Sequence, residues 1–243
     1  MNAIMIIAKR ELRAYFETPV AYVFIGIFLA MSGVFTFYLG GFYERGQADL
    51  QPFFSFHPWL YLFLVPAISM RLWSEERKSG SIELLMTLPI TLWQAVLGKF
   101  LAAWAFVAVA LALTFPIWIT VNYLGDPDNG VILAAYLGSL LMAGAFLAIG
   151  SCISAANRNQ VVAFIITVVI CFAFLLSGFP LVLDFFAGAP QAVIDTVAGL
   201  SFLTHFTSIS KGVIDLRDVA YFLLVIGAWL YATTIVLEMK KAD

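Results

Sequence analysis

Long apolar runs separated by short polar ones dominate the chain. The first runs from Val20 to Phe42, enough for about 35 Å of helix, which crosses a bilayer with some tilt. Thr18-Pro19 ahead of it reads as an N-cap followed by proline at the first helical position. A polar loop (Glu44, Arg45, Gln47, Asp49) leads to the second run, Phe53 to Trp73, with Pro66 as its expected kink. The third, Phe100 to Tyr123, ends in the turn sequence Gly125-Asp126-Pro127-Asp128-Asn129-Gly130. Val131 to Ala155 and Val161 to Leu183 follow, joined by the Asn157-Arg158-Asn159-Gln160 turn, and Val219 to Leu237 is the sixth. The pattern predicts an all-α membrane protein with six transmembrane helices over residues 20–238 and a short tail at 239–243.

Composition strengthens that picture. Hydrophobic residues make up 63% of the 243 positions and charged ones 12%, against about 45–50% and about 25% in soluble domains. A net charge of -2 carries no basic excess, which argues against a nucleic-acid partner. Cys152 and Cys171 lie inside apolar runs and read as small core residues. Lys9, Arg10, Glu11 and Arg13 interrupt the N-terminal stretch, so it is not read as a cleavable signal and the first run is expected to stay as an anchor.

Charge also sets the orientation. Ten of the 13 Lys and Arg residues fall on the side of the termini and of segment 71–99, and only Arg45, Lys211 and Arg217 on the other. By the positive-inside rule the termini and that segment face the cytoplasm.

The runs are nearly free of ionisable residues, since Arg71 and Glu238 sit at run ends. Nothing resembles the buried carboxylate or broken mid-depth helix of an ion-coupled carrier. No metalloprotease H-E-x-x-H and no nucleotide-binding G-x-x-x-x-G-K-[ST] occurs. Any ATP used must be bound by another chain. Ser177 and His205 are the nearest candidates for an intramembrane serine protease, but their flanks do not match one. His57, beside Pro58 and Trp59, reads as an interfacial residue and His205 as a loop residue. The small residues Ala134, Gly138, Ala145, Ala148, Cys152 and Ala155 recur at helical spacing and read as a packing stripe within one subunit.

Two segments on the charged side carry more information. Residues 1–19 hold an amphipathic helix, with Ile4, Met5, Ile7, Ala8, Leu12, Tyr15 and Phe16 on one arc and Lys9, Arg10, Arg13 and Glu17 on the other. Glu11 projects into the apolar arc. It either bonds locally, to the Ala14 or Tyr15 backbone or to headgroup water, or pairs with Arg71, Lys99 or a partner subunit. The second segment, 74–99, has a charged entry (Glu75, Glu76, Arg77, Lys78), a break at Gly80-Ser81, an apolar patch of Ile82, Leu85 and Met86, and a stop at Pro89. Thr91 and Gln94 form a capping box for the helix that rises into the third run. Read plainly it is a solvated loop; its exposed apolar cluster instead fits a protein-docking patch.

The Lys-Arg-Glu-Leu N-terminus and the block Glu75-Glu76-Arg77-Lys78-Ser79-Gly80-Ser81-Ile82-Glu83-Leu84-Leu85, leading through Met86, Leu88, Pro89 and Ile90 to Gly98-Lys99, resemble the ABC-2 type transporter permeases. Among them the chain is most similar to the short permeases of the gliding-motility type and of the nitrous-oxide-reductase maturation system. The resemblance covers essentially the whole chain and implies a type V exporter-like fold in a bacterial inner membrane. It makes residues 1–19 an elbow helix (Lys9, Arg10, Glu11, Arg13) and Ser81 to Leu88 a coupling helix, with Glu75 and Glu76 in the adjoining charged network. It implies two permease chains, as homodimer or heterodimer, two ATP-binding subunits that hold ATP and Mg, and in the gliding type an auxiliary membrane protein. This chain itself binds no cofactor or metal and is not an enzyme. Residues 184–217 correspond to small outer helices, whose Phe185, Phe186, Val193, Ile194, Leu200, Phe202 and Leu203 suit lying against or dipping into the outer leaflet. The implied activity is export of a hydrophobic or amphiphilic substrate, with Phe24, Phe28, Phe35, Phe37, Phe53, Phe54 and Phe56 either lining the path or facing lipid. The alternative is a membrane scaffold with no transported substrate.

Overall fold

Helix ends fall where side chains can satisfy the backbone. In a computed structural model, which describes residues 3–80, 82, 89–185 and 188–240, α1 (Ala3–Phe16) closes before Thr18, whose hydroxyl donates to the Tyr15 carbonyl (2.9 Å). Pro19 then starts α2 (Pro19–Val34), which runs through a π-helical turn over Phe35–Leu39. Thr91 and Gln94 form the predicted capping box and open α6 (Leu92–Ala112). Asp128 accepts from the Gly130 and Val131 amides and opens α8 (Asn129–Ala156), so Gly130 lies inside a helix and not in the expected turn. Asn159 caps α9 (Gln160–Leu176), and Asp215 caps α13 (Leu216–Met239).

Three expected runs are broken. The 53–73 run is α3 (Gln51–Ser55), α4 (His57–Ser69) and α5 (Arg71–Ser79). Pro66 sits within α4, and the break comes at Met70. There the Ser154 hydroxyl of α8 donates to the Met70 carbonyl (2.8 Å) and accepts from the Trp73 and Ser74 amides (3.1 Å each). A neighbouring helix thus satisfies the groups freed at the break, as apolar surroundings demand. The 100–123 run begins earlier, at Leu92, and stops at Ala112; Pro116 has no amide to continue the ladder, and α7 (Phe115–Leu124) restarts after Thr114. Thr114 Oγ1 donates to the Leu111 carbonyl (2.6 Å) and meets the Tyr136 hydroxyl (2.9 Å) across the gap. The 161–183 run ends at Leu176, where the Ser177-Gly178 turn leads to α10 (Pro180–Phe185). α11 (Gln191–Gly199) and α12 (Phe202–Ser210) follow, bent by 63° to one another.

By length and composition four of the described helical stretches can cross a membrane: Pro19–Leu39, Leu92–Leu124, Asn129–Ala156 and Leu216–Met239. The bent pair α11–α12 makes up to five. At 17 residues, α9 is shorter, about 25 Å of helix.

α8 is the hub. Of its most apolar window 72% is buried, against 28% for those of α2 and α13, so α8 is wrapped and they are peripheral. Every member of its small-residue stripe is buried. The glycines show how neighbours reach it. Positions six apart on a helix point about 120° apart. A Cβ on Gly138 would lie 2.8 Å from Ile209 of α12, and one on Gly144 would lie 3.0 Å from Ile226 of α13 and from Trp104 of α6. On Gly150 it would strike Ser69 of α4. Three glycines therefore seat neighbours on three sides of one helix.

Candidate functional site

The capping box at Thr91 places Lys99 two turns inside α6, where its residue is 3% exposed. A buried ammonium is tolerated only with partners. Three come from two other helices: Glu76 of α5 (2.7 Å), Glu11 of α1 (3.4 Å) and the Trp73 ring of α5 (5.2 Å to the centroid). Of the partners expected for Glu11, Lys99 is the one it meets; Arg71 pairs instead with Glu75 (3.2 Å). Glu11 also takes a 2.6 Å contact from Arg10. Burial pushes the Glu11 carboxyl up, but Lys99 and Arg10 outweigh it, so it ends below the ordinary glutamate value. Glu76 Oε2 is buried with no partner among the described residues.

The packing of α1 on α6 makes this geometry. Gly98 lets it in: a Cβ there would sit 2.7 Å from the Ile7 side chain. Further along, Tyr15 stacks on Phe106 (5.2 Å, 17°) and Phe16 lies 5.6 Å from the same ring. Ile7 is buried, whereas Met5 of the predicted apolar arc is 62% exposed and points elsewhere. Lys9, Arg10 and Arg13 are exposed, Arg13 bonding to Glu17. Between α1, α5 and α6 lies a cavity of about 210 Å³ walled by Glu11, Tyr15, Arg71, Glu75 and Lys99.

The cluster is anchored to the hub. Arg77 of α5 donates to the Ala155 carbonyl (2.6 Å) and Lys240, just past α13, to that of Ala156 (2.7 Å). Two cations thus cover the free carbonyls at the C-terminus of α8. α5 then ends at Gly80 in the left-handed conformation (φ 73°), where glycine carries no penalty. Ile82 is half-buried against the core and Pro89 is exposed. The predicted site residues Ser81, Glu83, Leu84, Leu85, Met86 and Leu88 lie outside the described residues.

Other sequence readings change. His57 is not interfacial: it is fully buried, its Nδ1 2.8 Å from Ser139 Oγ, which also meets the Tyr61 hydroxyl. His205 is not in a loop but on α12, against Asp218 (2.7 Å) and the Gly199 carbonyl (3.0 Å). The Ser177 hydroxyl donates to the Phe174 carbonyl (3.0 Å), and both ring nitrogens of His205 face Asp218 and the Gly199 carbonyl instead of Ser177. Phe28, Phe53 and Phe54 are buried within the bundle, and Phe37 is 37% exposed. In the outer segment Phe185 is exposed, but Phe202 is buried among Phe146, Phe174 and Phe222, so α12 dips into the bundle; Phe186 lies outside the described residues. Among the described residues no three His, Cys, Asp or Glu converge as a metal site.

The Glu76 and Trp73 contacts of Lys99 were missed by sequence reasoning. The available signal was the capping box, which places Lys99 two turns inside a helix.

A family model described as ABC-2 family transporter protein matches residues 5–236. No curated protein matches the chain.

Proposed function

The chain belongs to the ABC-2 transporter family, and on that premise we propose that its α1–α5–α6 cluster is where an ATP-binding subunit drives the bundle. Membership makes it a multi-pass transmembrane subunit of an ABC transporter, not itself catalytic, working with a separate ATP-binding subunit. The finer reading is ours. α1 acts as the elbow helix and segment 81–88 as the coupling helix. Two permease chains pair, each with one ATP-binding subunit. The cargo is a hydrophobic or amphiphilic molecule moved outward. The subtype is of the gliding-motility kind, in which an auxiliary membrane protein takes part.

Six crossings fit best, with α3–α4 as the second and α9 as the fifth. The even number leaves both termini on the inner face of the bacterial cytoplasmic membrane, in keeping with the distribution of Lys and Arg.

The observation that carries the proposal is the buried Lys99. It ties the first helix, and the helix leading directly into segment 81–88, to one rigid span. A displacement of α5 reaches α6 and α8 through the Lys99–Glu76 ion pair and the Arg77–Ala155 bond. Affinity purification of the tagged chain from its native membrane tests this. Recovery of an ATP-binding subunit, lost on Leu85→Asp, is expected; no such subunit, or one indifferent to that change, overturns the reading.

A further inference from the structure

α12 has two faces. Phe202, Phe206 and Ile209 are buried against the bundle, while Thr204, Thr207, Ser208 and Lys211 recur at helical spacing on the other side. Helical serine and threonine hydroxyls often return to a carbonyl of the preceding turn, as those of Thr120, Thr196 and Thr233 do. Among the described residues the hydroxyls of Thr204, Thr207 and Ser208 make no hydrogen bond, and Lys211 makes no ion pair. These four side chains wall one flank of an open cavity of about 430 Å³, and Phe179 and Leu203 supply its apolar flank. The turn after α9 closes over it: a Cβ on Gly178 would lie 2.7 Å from Thr204 Oγ1. That turn also fixes the depth. α9 starts directly after α8 ends and rises for 17 residues, about 25 Å, so Gly178 lies near the far edge of a hydrocarbon core about 30 Å thick. From Thr204 to Lys211 is about 10 Å more along α12. It runs toward the Asn129 end of α8, where a Cβ on Gly212 would lie 2.8 Å from Val131. The stripe therefore passes through the headgroup layer.

We infer that this stripe binds the headgroup phosphate of an anionic phospholipid of the phosphatidylglycerol type. The phosphate oxygens accept from Lys211 and from the Thr207 and Ser208 hydroxyls, and an acyl chain lies on Phe179 and Leu203. The cavity wall holds one cation and no carboxylate. A headgroup that carries its own ammonium finds no counter-charge there, whereas one with a net negative charge does. A second cavity, of about 340 Å³, borders Lys211 on its other side and has Asp49 and Asp128 on its rim. Both are engaged: Asp49 accepts from the Gln51 amide (3.0 Å) and lies 3.7 Å from Arg45, and Asp128 accepts from the Gly130 and Val131 amides. The Lys211 ammonium is thus left to the hydroxyl side. The inference rests on the proposed topology only for which leaflet supplies the lipid.

Full-length protein in nanodiscs of equal parts phosphatidylglycerol and phosphatidylcholine tests this, with a photo-crosslinking phenylalanine analogue at Phe179 and mass spectrometry of the captured lipid. Phosphatidylglycerol should be captured about fivefold over phosphatidylcholine, the gain one cation gives near anionic headgroups. The same analogue at Leu224, exposed on α13, should capture both evenly. Lys211→Gln should bring the ratio at Phe179 down to that at Leu224, and Lys211→Arg should keep it. Arg217→Gln removes an exposed cation off the cavity wall and should leave the ratio unchanged. An even ratio at Phe179, a preference that survives Lys211→Gln, or one lost equally in Arg217→Gln overturns the site. So does a preference abolished by millimolar inorganic phosphate at matched ionic strength, since a free anion and not a lipid would then fill it. Nanodiscs present both leaflets, so these results are independent of topology. Asymmetric vesicles with phosphatidylglycerol in one leaflet report the side separately, and capture from the inner leaflet alone would contradict the topology and not the site.

Discussion

At the residue scale the account turns on Lys99. Its ammonium is almost fully enclosed, while Glu11 and Glu76 each keep about a fifth of their side chains exposed. Lys99→Met leaves two carboxylates facing an apolar group. We expect a loss of about 3 kcal/mol, the low end for breaking a buried pair because the carboxylates are partly hydrated. Thermal melting in detergent measures it, and Glu76→Gln added to Lys99→Met should recover part of the loss. Glu11 adds a pH signature. Its folded carboxyl titrates below the ordinary value near 4.5, so its stabilisation is fully present above that value. It is lost as pH falls through the depressed one. The melting temperature should therefore drop on the acid side, and Glu11→Gln should flatten that limb. An unchanged acid limb in Glu11→Gln would show that Glu11 contributes no such linkage.

At the element scale, the seating of α1 on α6 depends on Gly98. Gly98→Leu puts a branched side chain where Ile7 packs, and α1 cannot approach. A thiol at Ile7→Cys, enclosed in the native seat, should become reactive in that variant; continued protection would mean that α1 is held elsewhere. Helix starts were largely legible in the sequence, because Thr91-Gln94 and Pro19 act within a few residues of themselves. The breaks at Met70 and Thr114 were less so. What stabilises them, Ser154 and Tyr136, comes from another helix, and no local pattern announces a hydroxyl arriving across the bundle. The wheel of α1 left Lys99 as one of several partners open to Glu11, beside Arg71, a partner subunit and local bonding. Glu76 and Trp73 were not foreseen, since their approach depends on α5 continuing past Trp73 to Ser79. Both histidines were misread for the same reason: their partners Ser139 and Asp218 are fixed by tertiary packing.

At the scale of the whole molecule, the hub α8 is held at one end by Arg77 and Lys240 and flanked near the other by α12, so displacements at either end meet the same rigid helix. Among the described residues, the Lys99 cluster lies near one end of the bundle and the His205–Asp218 pair near the other. The central claim is that the segment following α5 receives the ATP-binding subunit. The most direct test places a photo-crosslinking amino acid at Leu85, with Val213 at the opposite end as control, and identifies what each captures in native membranes. The account predicts that position 85 captures the ATP-binding subunit and position 213 does not. Position 85 capturing only lipid, or both positions capturing the same protein, would contradict it.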